Sequence, residues 1–239
     1  MDAVILAGGL GERLRPLTKI IPKPLLPVGE RSVLEITLLA LKRSGVRRVF
    51  VALNYQSELF KAFLGDGSRW GLSIECAVED TPLGTAGPLL LFAERLRRPF
   101  LVINGDILTN LNFRTLLQYH RRQKAILTIV TKQIVLPLRY GVVIAHGGYV
   151  QKVEEKPNIA AEVVAGIYAC NSEVLRYIPP RTHYTMPELI QCLLRVGKPV
   201  AQFPLHDYWL DIGQMEDYER AQQLYAQGVF NQVLADDVS

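Results

Sequence analysis

Two runs in this chain, VFVALN at residues 49–54 and FLVIN at 100–104, are apolar at almost every position, and segments with helical spacing lie between such runs. Successive side chains of a strand point to opposite faces, so a strand apolar at consecutive positions has both faces buried. Strands of that kind belong to parallel sheets covered by helices on both sides. Strands are expected at residues 4–7, 46–53, 72–78, 100–103 and 126–131, and helices at 32–44, 57–64, 86–96 and 113–123. Ser32 and Glu35 have the spacing of a capping box for the first helix.

After residue 137 the rhythm changes. Strand-like runs flank His146-Gly147-Gly148, a hairpin signal, and VVAGIYAC reads as a further strand. The last expected helices are 186–196 and 214–227, with strand-like VAQFPL and the tight YWLDIG stretch between them. No repeat or linker-like composition break divides the chain. The expected fold is one α/β domain over residues 1–239: a mostly parallel, mixed central sheet flanked by helices, with a small β-hairpin addition.

Composition removes several classes of function. The three cysteines, Cys76, Cys170 and Cys192, are far apart and form no C-x-x-C pair, so they are expected to be reduced packing residues. A net charge of +4 is mild, and the basic pairs Lys42-Arg43, Arg47-Arg48 and Arg121-Arg122 fall near expected helix ends, where cations offset the macrodipole. No basic stripe interleaved with aromatic residues is present, so no nucleic acid partner is expected. The N-terminal apolar run is too short for a signal peptide, and nothing approaches a membrane span; the expectation is a cytoplasmic protein with no membrane partner. The four histidines lack zinc-binding spacing and are read as structural.

The chemistry is concentrated in the opening, MDAVILAGGLGERLRPLTKIIPKPLLPVG. In an open α/β sheet, ligands bind beyond the carboxyl ends of the strands, and a glycine loop there lets backbone N–H groups approach an anion. Gly8, Gly9 and Gly11 supply such a loop. A dinucleotide fingerprint fails because Leu14 stands where its third glycine belongs, and the next strand ends in Asn54 rather than an acid; no Gly-Lys-Ser/Thr completes a P-loop. Arg13 can fork two phosphate oxygens, and Lys23 is a compact charge restricted by Pro22 and Pro24. The plainer alternative is that PKPLLPVG is a proline-stiffened crossover with a solvated lysine.

LAGGLGERLRPLT followed by PKPLLPV resembles the N-terminal signature of the sugar-1-phosphate nucleotidyltransferases, also called NDP-sugar pyrophosphorylases. The resemblance covers about residues 2–225 and is to short members without a β-helix extension. It implies a Rossmann-like nucleotide-diphospho-sugar transferase fold, with a nucleotide-binding half at about 1–135 and a sugar-phosphate-binding half at about 136–228. It further implies Mg2+-dependent nucleotidyl transfer from an NTP to a sugar 1-phosphate, with Arg13, Lys23 and Asp106 as the catalytic groups. Leu6, Ala7, Gly8, Gly9, Gly11, Arg13 and Lys23 fall in the nucleotide loop, and Gly84 and Thr85 of EDTPLGTAGPLL in the base-contacting loop. Asp106 of VINGDIL and Asp211 of YWLDIG take the positions of the metal ligands; each alone would also serve as a helix cap or turn former. Gly141, Glu155, Lys156 and Gly166 match the sugar-phosphate positions. Adjacent strand residues point to opposite faces, so a turn-like twist is expected if Glu155 and Lys156 serve one ligand, while Pro157 biases Lys156 toward an extended shape.

Where many relatives have threonine, this chain has Glu12, whose charge is expected to point away from phosphates or bind a cation or hydroxyl. MPELI and YWLDIG are most similar to guanylyltransferase-type members acting on mannose, heptose or amino-sugar phosphates, while GDGSRWGLSI is closer to uridylyl-type relatives. Two alternatives remain beside a sugar transferase: a non-catalytic nucleotide or sugar-phosphate sensor, and a transferase acting on a phosphate such as phosphocholine. The sequence also leaves room for a homo-oligomer.

Overall fold

Side-chain alternation on the first strand sets the layers of the molecule. In the computed structural model, which describes residues 1–235, Ala3 and Ile5 face one apolar layer and Val4 faces another; all three are fully buried. In chain order the strands are β1 (Asp2–Leu6), β2 (Pro27–Val28), β3 (Arg31–Ser32), β4 (Arg48–Leu53), β5 (Ser73–Val78), β6 (Phe100–Asn104), β7 (Ile107–Thr109), β8 (Leu127–Pro137), β9 (Val142–His146), β10 (Tyr149–Glu154), β11 (Asn158–Cys170), β12 (Val200–Pro204) and β13 (Trp209–Asp211). The helices are α1 (Val33–Arg43), α2 (Ser57–Leu64), α3 (Phe113–Gln123), α4 (Met186–Arg195), α5 (Met215–Ala226) and α6 (Asn231–Leu234).

Seven strands form the central sheet in the order β12-β8-β11-β6-β1-β4-β5. The pairs β6-β1, β1-β4, β4-β5 and β12-β8 are parallel, and β11 runs antiparallel to both its neighbours. The sheet is therefore mixed and mostly parallel, in a single α/β domain. One face packs against α1, α2 and α3 through residues such as Leu38, Phe60 and Phe113; the other packs against α4 and the 87–92 segment through Leu189 and Phe92. Burial of this kind contributes about 2 kcal/mol per large side chain, and most of the core lies on these two faces. Among the described residues no helix is long and apolar enough to cross a membrane.

Several elements differ from the sequence expectation for identifiable reasons. Residues 86–96 form only a 3-10 segment, Gly87–Phe92. Pro88 has no amide to donate, and the amides of Ala86 and Gly87 both bond to the carbonyl of Tyr184. The capping box of α1 is half formed: Ser32 Oγ accepts from the Glu35 amide, but the Glu35 carboxylate is taken by Arg31 at 2.6 Å. β8 and β11 run well past their expected ends because their outer halves pair with each other, Lys132 opposite Val163 and Pro137 opposite Asn158. The hairpin at Gly147-Gly148 forms as expected, with both glycines at positive φ, and makes a separate two-stranded sheet. Of the free cysteines, Cys170 is buried, whereas Cys76 and Cys192 are half-buried.

His120 stitches α3 to the sheet. It is 1% exposed, with Nδ1 2.8 Å from Thr128 Oγ1 and Nε2 3.2 Å from Asn171 Oδ1. Because the Asn171 amide nitrogen already donates to the Ala125 carbonyl, its Oδ1 is an acceptor, which assigns the proton to Nε2 and leaves Nδ1 to accept from Thr128. Burial holds the imidazole below its ordinary pKa. A group protonated more readily in the unfolded chain contributes stability above its unfolded pKa, about 6.5, and loses it as pH falls below that value. Urea unfolding of the wild type at pH 7.5 and 5.0 should show a loss of stability on acidification that is smaller in His120→Gln; equal losses in the two proteins would remove His120 as the cause.

Candidate active site

The parallel register of β6, β1 and β4 brings Asn104, Leu6 and Ala52 level, so the segments that follow these strands emerge together at one sheet edge. A cleft of about 750 Å3 opens there. Its lining includes Leu6, Ala7, Gly8, Gly9, Gly11, Arg13, Lys23, Gly84, Thr85 and Asp106. Residues from four separate stretches of sequence thus share one cavity.

Gly11 sits at φ +61, and a Cβ there would come within 2.9 Å of Thr18 Cγ2; Thr18 Oγ1 in turn donates to the Gly11 carbonyl at 2.8 Å. This contact folds the loop back toward Lys23. The Lys23 side chain, in a 3-10 turn at Lys23–Leu25, is buried, which excludes the solvated-lysine alternative. Its ammonium donates to Asp106 Oδ2 at 2.5 Å and lies 3.9 Å from Asp211 Oδ1. The two acids, far apart in sequence, meet because β7 pairs antiparallel with β13, Ile107 opposite Asp211, and the Ile212 amide bonds to the Asp106 carbonyl at 3.1 Å.

The charge at this junction is unbalanced. Burial, and then the charge of Asp106, push the Asp211 carboxyl up to about 6, although Lys23 and Arg13 pull it down. Asp106 Oδ1 is buried without a hydrogen-bond partner. Two hard oxygen donors, one carrying an orphaned atom, suit a divalent cation that completes its shell with water or a ligand. Among the described residues no group of three or more His, Cys, Asp or Glu side chains gathers to enclose a metal. Arg13 borders the same junction, since a Cβ on Gly213 would lie 3.7 Å from its Nη1. Glu12 is exposed and paired with Arg15 at 3.0 Å, so its charge is bound by a cation, one of the arrangements expected for it.

Four cavity residues were not signalled by the sequence: Asn54, Glu79, Asn104 and His183. His183, read as structural from its isolation in sequence, lies on the cleft wall because Tyr184 is clamped to the 83–87 loop. The Tyr184 amide donates to the Leu83 carbonyl at 2.9 Å, and the Tyr184 carbonyl accepts from Ala86 and Gly87. Glu79 is 8% exposed; its Oε2 accepts the Leu83 amide at 2.7 Å, and its Oε1 lies where a Cβ on Gly8 would come to 2.9 Å. The bare Cα of Gly8 therefore makes room for this carboxylate. Burial raises the Glu79 pKa, opposed by the Leu83 hydrogen bond and by His183. The Thr85 hydroxyl accepts from the Met186 amide at 2.8 Å and so ties this loop to the first residue of α4, which Thr185 caps.

Five sequence candidates are not among the residues lining this cleft: Gly141, Glu155, Lys156, Gly166 and Asp211, of which Asp211 alone touches a lining residue's charge, 3.9 Å from the Lys23 ammonium. Gly166, at φ +69, packs against Asn104 of the wall, and Gly141 packs against Glu155. Lys156 has φ +45 and is not extended as Pro157 had suggested. The left-handed turn brings its ammonium to 3.8 Å from Glu155 Oε1, with both side chains exposed.

The chain matches the family model described as nucleotidyl transferase over residues 2–228. It is 37% identical over 234 residues to a probable mannose-1-phosphate guanylyltransferase 1 of Oryza sativa subsp. japonica, covering 94% of this chain and 64% of the rice protein. It is 36% identical over 240 residues to the mannose-1-phosphate guanylyltransferase catalytic subunit beta of Danio rerio, covering 97% and 66% respectively. The chain thus spans just under two thirds of the length of these curated relatives. Among solved structures it is similar to a putative glucose-1-phosphate thymidylyltransferase from Bacillus anthracis in complex with a sucrose, with TM-score 0.78 and 27% identity, covering 97% of this chain and 99% of the other. HddC from Yersinia pseudotuberculosis complexed with GMP-PN aligns with TM-score 0.75 and 25% identity, covering 94% and 99%.

The raised Asp211 pKa carries a stability consequence. Its folded value, about 6, lies above the ordinary 3.8, so the folded state holds the extra proton between those limits, and stability falls as pH rises through that window. The carboxylate is half-exposed, so screening reduces the cost to about 1 kcal/mol at neutral pH. In metal-free buffer Asp211→Asn should stabilise the protein by about this amount at pH 7.5 and by nothing measurable near pH 4. A variant less stable than wild type at pH 7.5 would contradict this account.

Proposed function

The chain belongs to the nucleotidyl transferase family, and from that premise we propose that it transfers a nucleotidyl group from an NTP to a sugar 1-phosphate, releasing pyrophosphate. The observation that carries the proposal is the convergence of Arg13, Lys23 and Asp106 on one cleft beyond the sheet's carboxyl edge, with Asp211 beside it at 3.9 Å from the Lys23 ammonium. A phosphate oxygen of the sugar 1-phosphate attacks the α-phosphorus, the bond from that phosphorus to the bridging oxygen breaks, and pyrophosphate departs on the opposite side. The nucleophile is already an anion, so no general base is required. The barrier is repulsion between two anions, which is lowered by in-line positioning and fixed positive charge.

In this mechanism the Gly8–Gly11 backbone and Arg13 hold the triphosphate, and Lys23 neutralises charge on it. Asp106 and Asp211 would hold a divalent cation, Mg2+ in this reading, which when bound supplies further positive charge at the phosphate oxygens; the partnerless Asp106 Oδ1 fits that role. Lys156 and Glu155, together with Gly141 and Gly166, would take the sugar phosphate, with Gly84 and Thr85 near the base.

Glu79 favours guanine as the base. A buried carboxylate only accepts hydrogen bonds. Guanine presents two adjacent donors, N1–H and N2–H2, whereas uracil and thymine present one donor between two carbonyl acceptors that a carboxylate repels. The mannose-1-phosphate guanylyltransferase relatives agree with this reading, with mannose, heptose or amino-sugar 1-phosphates as acceptors.

A pyrophosphate-release screen of the four NTPs against a panel of sugar 1-phosphates tests the assignment, with GTP the expected donor. No release from any pair, together with tight nucleotide binding, would replace the enzyme by a sensor. Lys23→Ala and Asp106→Asn should each lower turnover at least about a hundredfold in a folded protein, and chelation of divalent cations should have a comparable effect on the wild type. Near wild-type release in either variant would remove that residue from the mechanism. Glu79→Gln should reduce the preference for GTP over UTP by at least about tenfold, because the amide offers a donor where the carboxylate offered none. An unchanged ratio would exclude Glu79 as a base-reading residue.

A further inference from the structure

The turn that carries Lys23 is fastened from outside the cleft. Just past Lys23, the Pro27 carbonyl accepts two hydrogen bonds from α5, from Tyr218 Oη at 2.6 Å and from Gln222 Nε2 at 2.7 Å. The same Gln222 side chain accepts the Gly29 amide through Oε1 at 2.8 Å. Gly29 lies at φ +60, and the Tyr225 ring fills the space a Cβ would occupy. Residues 218, 222 and 225 fall on one stripe of the helix, so a single face of α5 grips the β2-β3 ribbon.

The N-terminal end of α5 is fastened to the segment just after Asp211. Asp217 Oδ2 accepts the amides of Gly213 at 3.0 Å and Gln214 at 2.9 Å, fixing the residues immediately after β13. A closed ring of contacts results: Lys23 to Asp211 at 3.9 Å, Asp211 through Gly213 to α5, and α5 through Tyr218 and Gln222 back to Pro27 and Lys23. Neither Tyr218 nor Gln222 lines the cleft. Within the Lys23 turn the main-chain bonds are short-range, from the Leu25 amide to Pro22 and the Leu26 amide to Lys23, and its end is tied to α1 by the Val33 amide donating to the Leu26 carbonyl. These set the shape of the turn but not its distance from Asp211.

We propose that Tyr218 and Gln222 are positioning residues, which through Pro27 and Gly29 hold the Lys23 ammonium in register with Asp106 and Asp211. The kinetic consequence rests on the transferase reading above; the structural consequence does not. A misplacement of about 1 Å in a group acting on the reacting phosphates costs turnover by up to about a hundredfold, with little effect on ground-state binding.

The test uses Gln222→Ala, Tyr218→Phe and the double variant of the full chain, with two readouts. Amide hydrogen exchange at Leu25 and Leu26 is expected to accelerate at least about tenfold in the double variant, while β1 and β4 exchange as in the wild type. The kcat for pyrophosphate release is expected to fall about tenfold, with KM for the NTP within about twofold. Tyr218→Phe, which removes one hydroxyl and keeps the ring, should show the smaller effect in both readouts. Unchanged exchange at Leu25 and Leu26 would overturn the proposal. So would faster exchange with kcat intact, or faster exchange throughout β1 and β4 in step with the loss of kcat, which marks a merely structural contact. If the wild type releases no pyrophosphate with any substrate pair, the transferase reading fails and exchange at Leu25 and Leu26 alone decides the latch.

Discussion

A buried ammonium between two carboxylates is the contact on which the rest of the site depends. Lys23 bonds to Asp106 at 2.5 Å and stands 3.9 Å from Asp211. A buried lysine alone carries a large desolvation penalty, which the Asp106 carboxylate at 2.5 Å offsets. One ammonium faces two carboxylates here; burial, and then the charge of Asp106, raise the Asp211 pKa, and Asp106 Oδ1 has no hydrogen-bond partner. A site held in that condition accepts further positive charge, and it shares a cleft with Arg13 and a glycine loop suited to anions.

Two sets of hydrogen-bonded segments shape the cleft around this contact. The short β7-β13 ladder joins the segment after β6 to the segment before α5 and sets the two acids side by side. On the opposite wall, Tyr184 and Met186 bond to Leu83, Thr85, Ala86 and Gly87, which ties the start of α4 to the loop carrying Gly84. The cleft is therefore walled by segments from both halves of the chain, each held to its neighbour by main-chain hydrogen bonds rather than by side-chain packing alone.

Local rules made much of the fold legible. Continuous apolarity marked the central strands, and helical spacing with end signals marked α1, α2, α3, α4 and α5 within a residue or two. They failed where a distant partner decided the outcome. Residues 86–96 had helical spacing, but Tyr184 captured the amides that would have started the helix. The outer halves of β8 and β11 are largely exposed although they carry apolar residues such as Val135, Leu136, Ile159 and Val164, and their mutual pairing makes them strands. The ordered glycines, cations and prolines of residues 8–24 signalled a phosphate site. Glu79 and His183 carried no signal, because a lone acid before a turn and a lone histidine near a loop have no local pattern that separates function from packing.

The sequence by itself determined the period of each element, the layers those periods demand, and the concentration of anion-binding chemistry after the first strand, because these follow from interactions between near neighbours along the chain. Only the tertiary structure decided that Lys23 is buried rather than solvated, that Asp106 and Asp211 meet, and that Glu79 faces the cleft behind Gly8. Each of these depends on strand order and register between segments far apart in sequence, and no local propensity encodes the distance between two residues that come together only when the sheet closes.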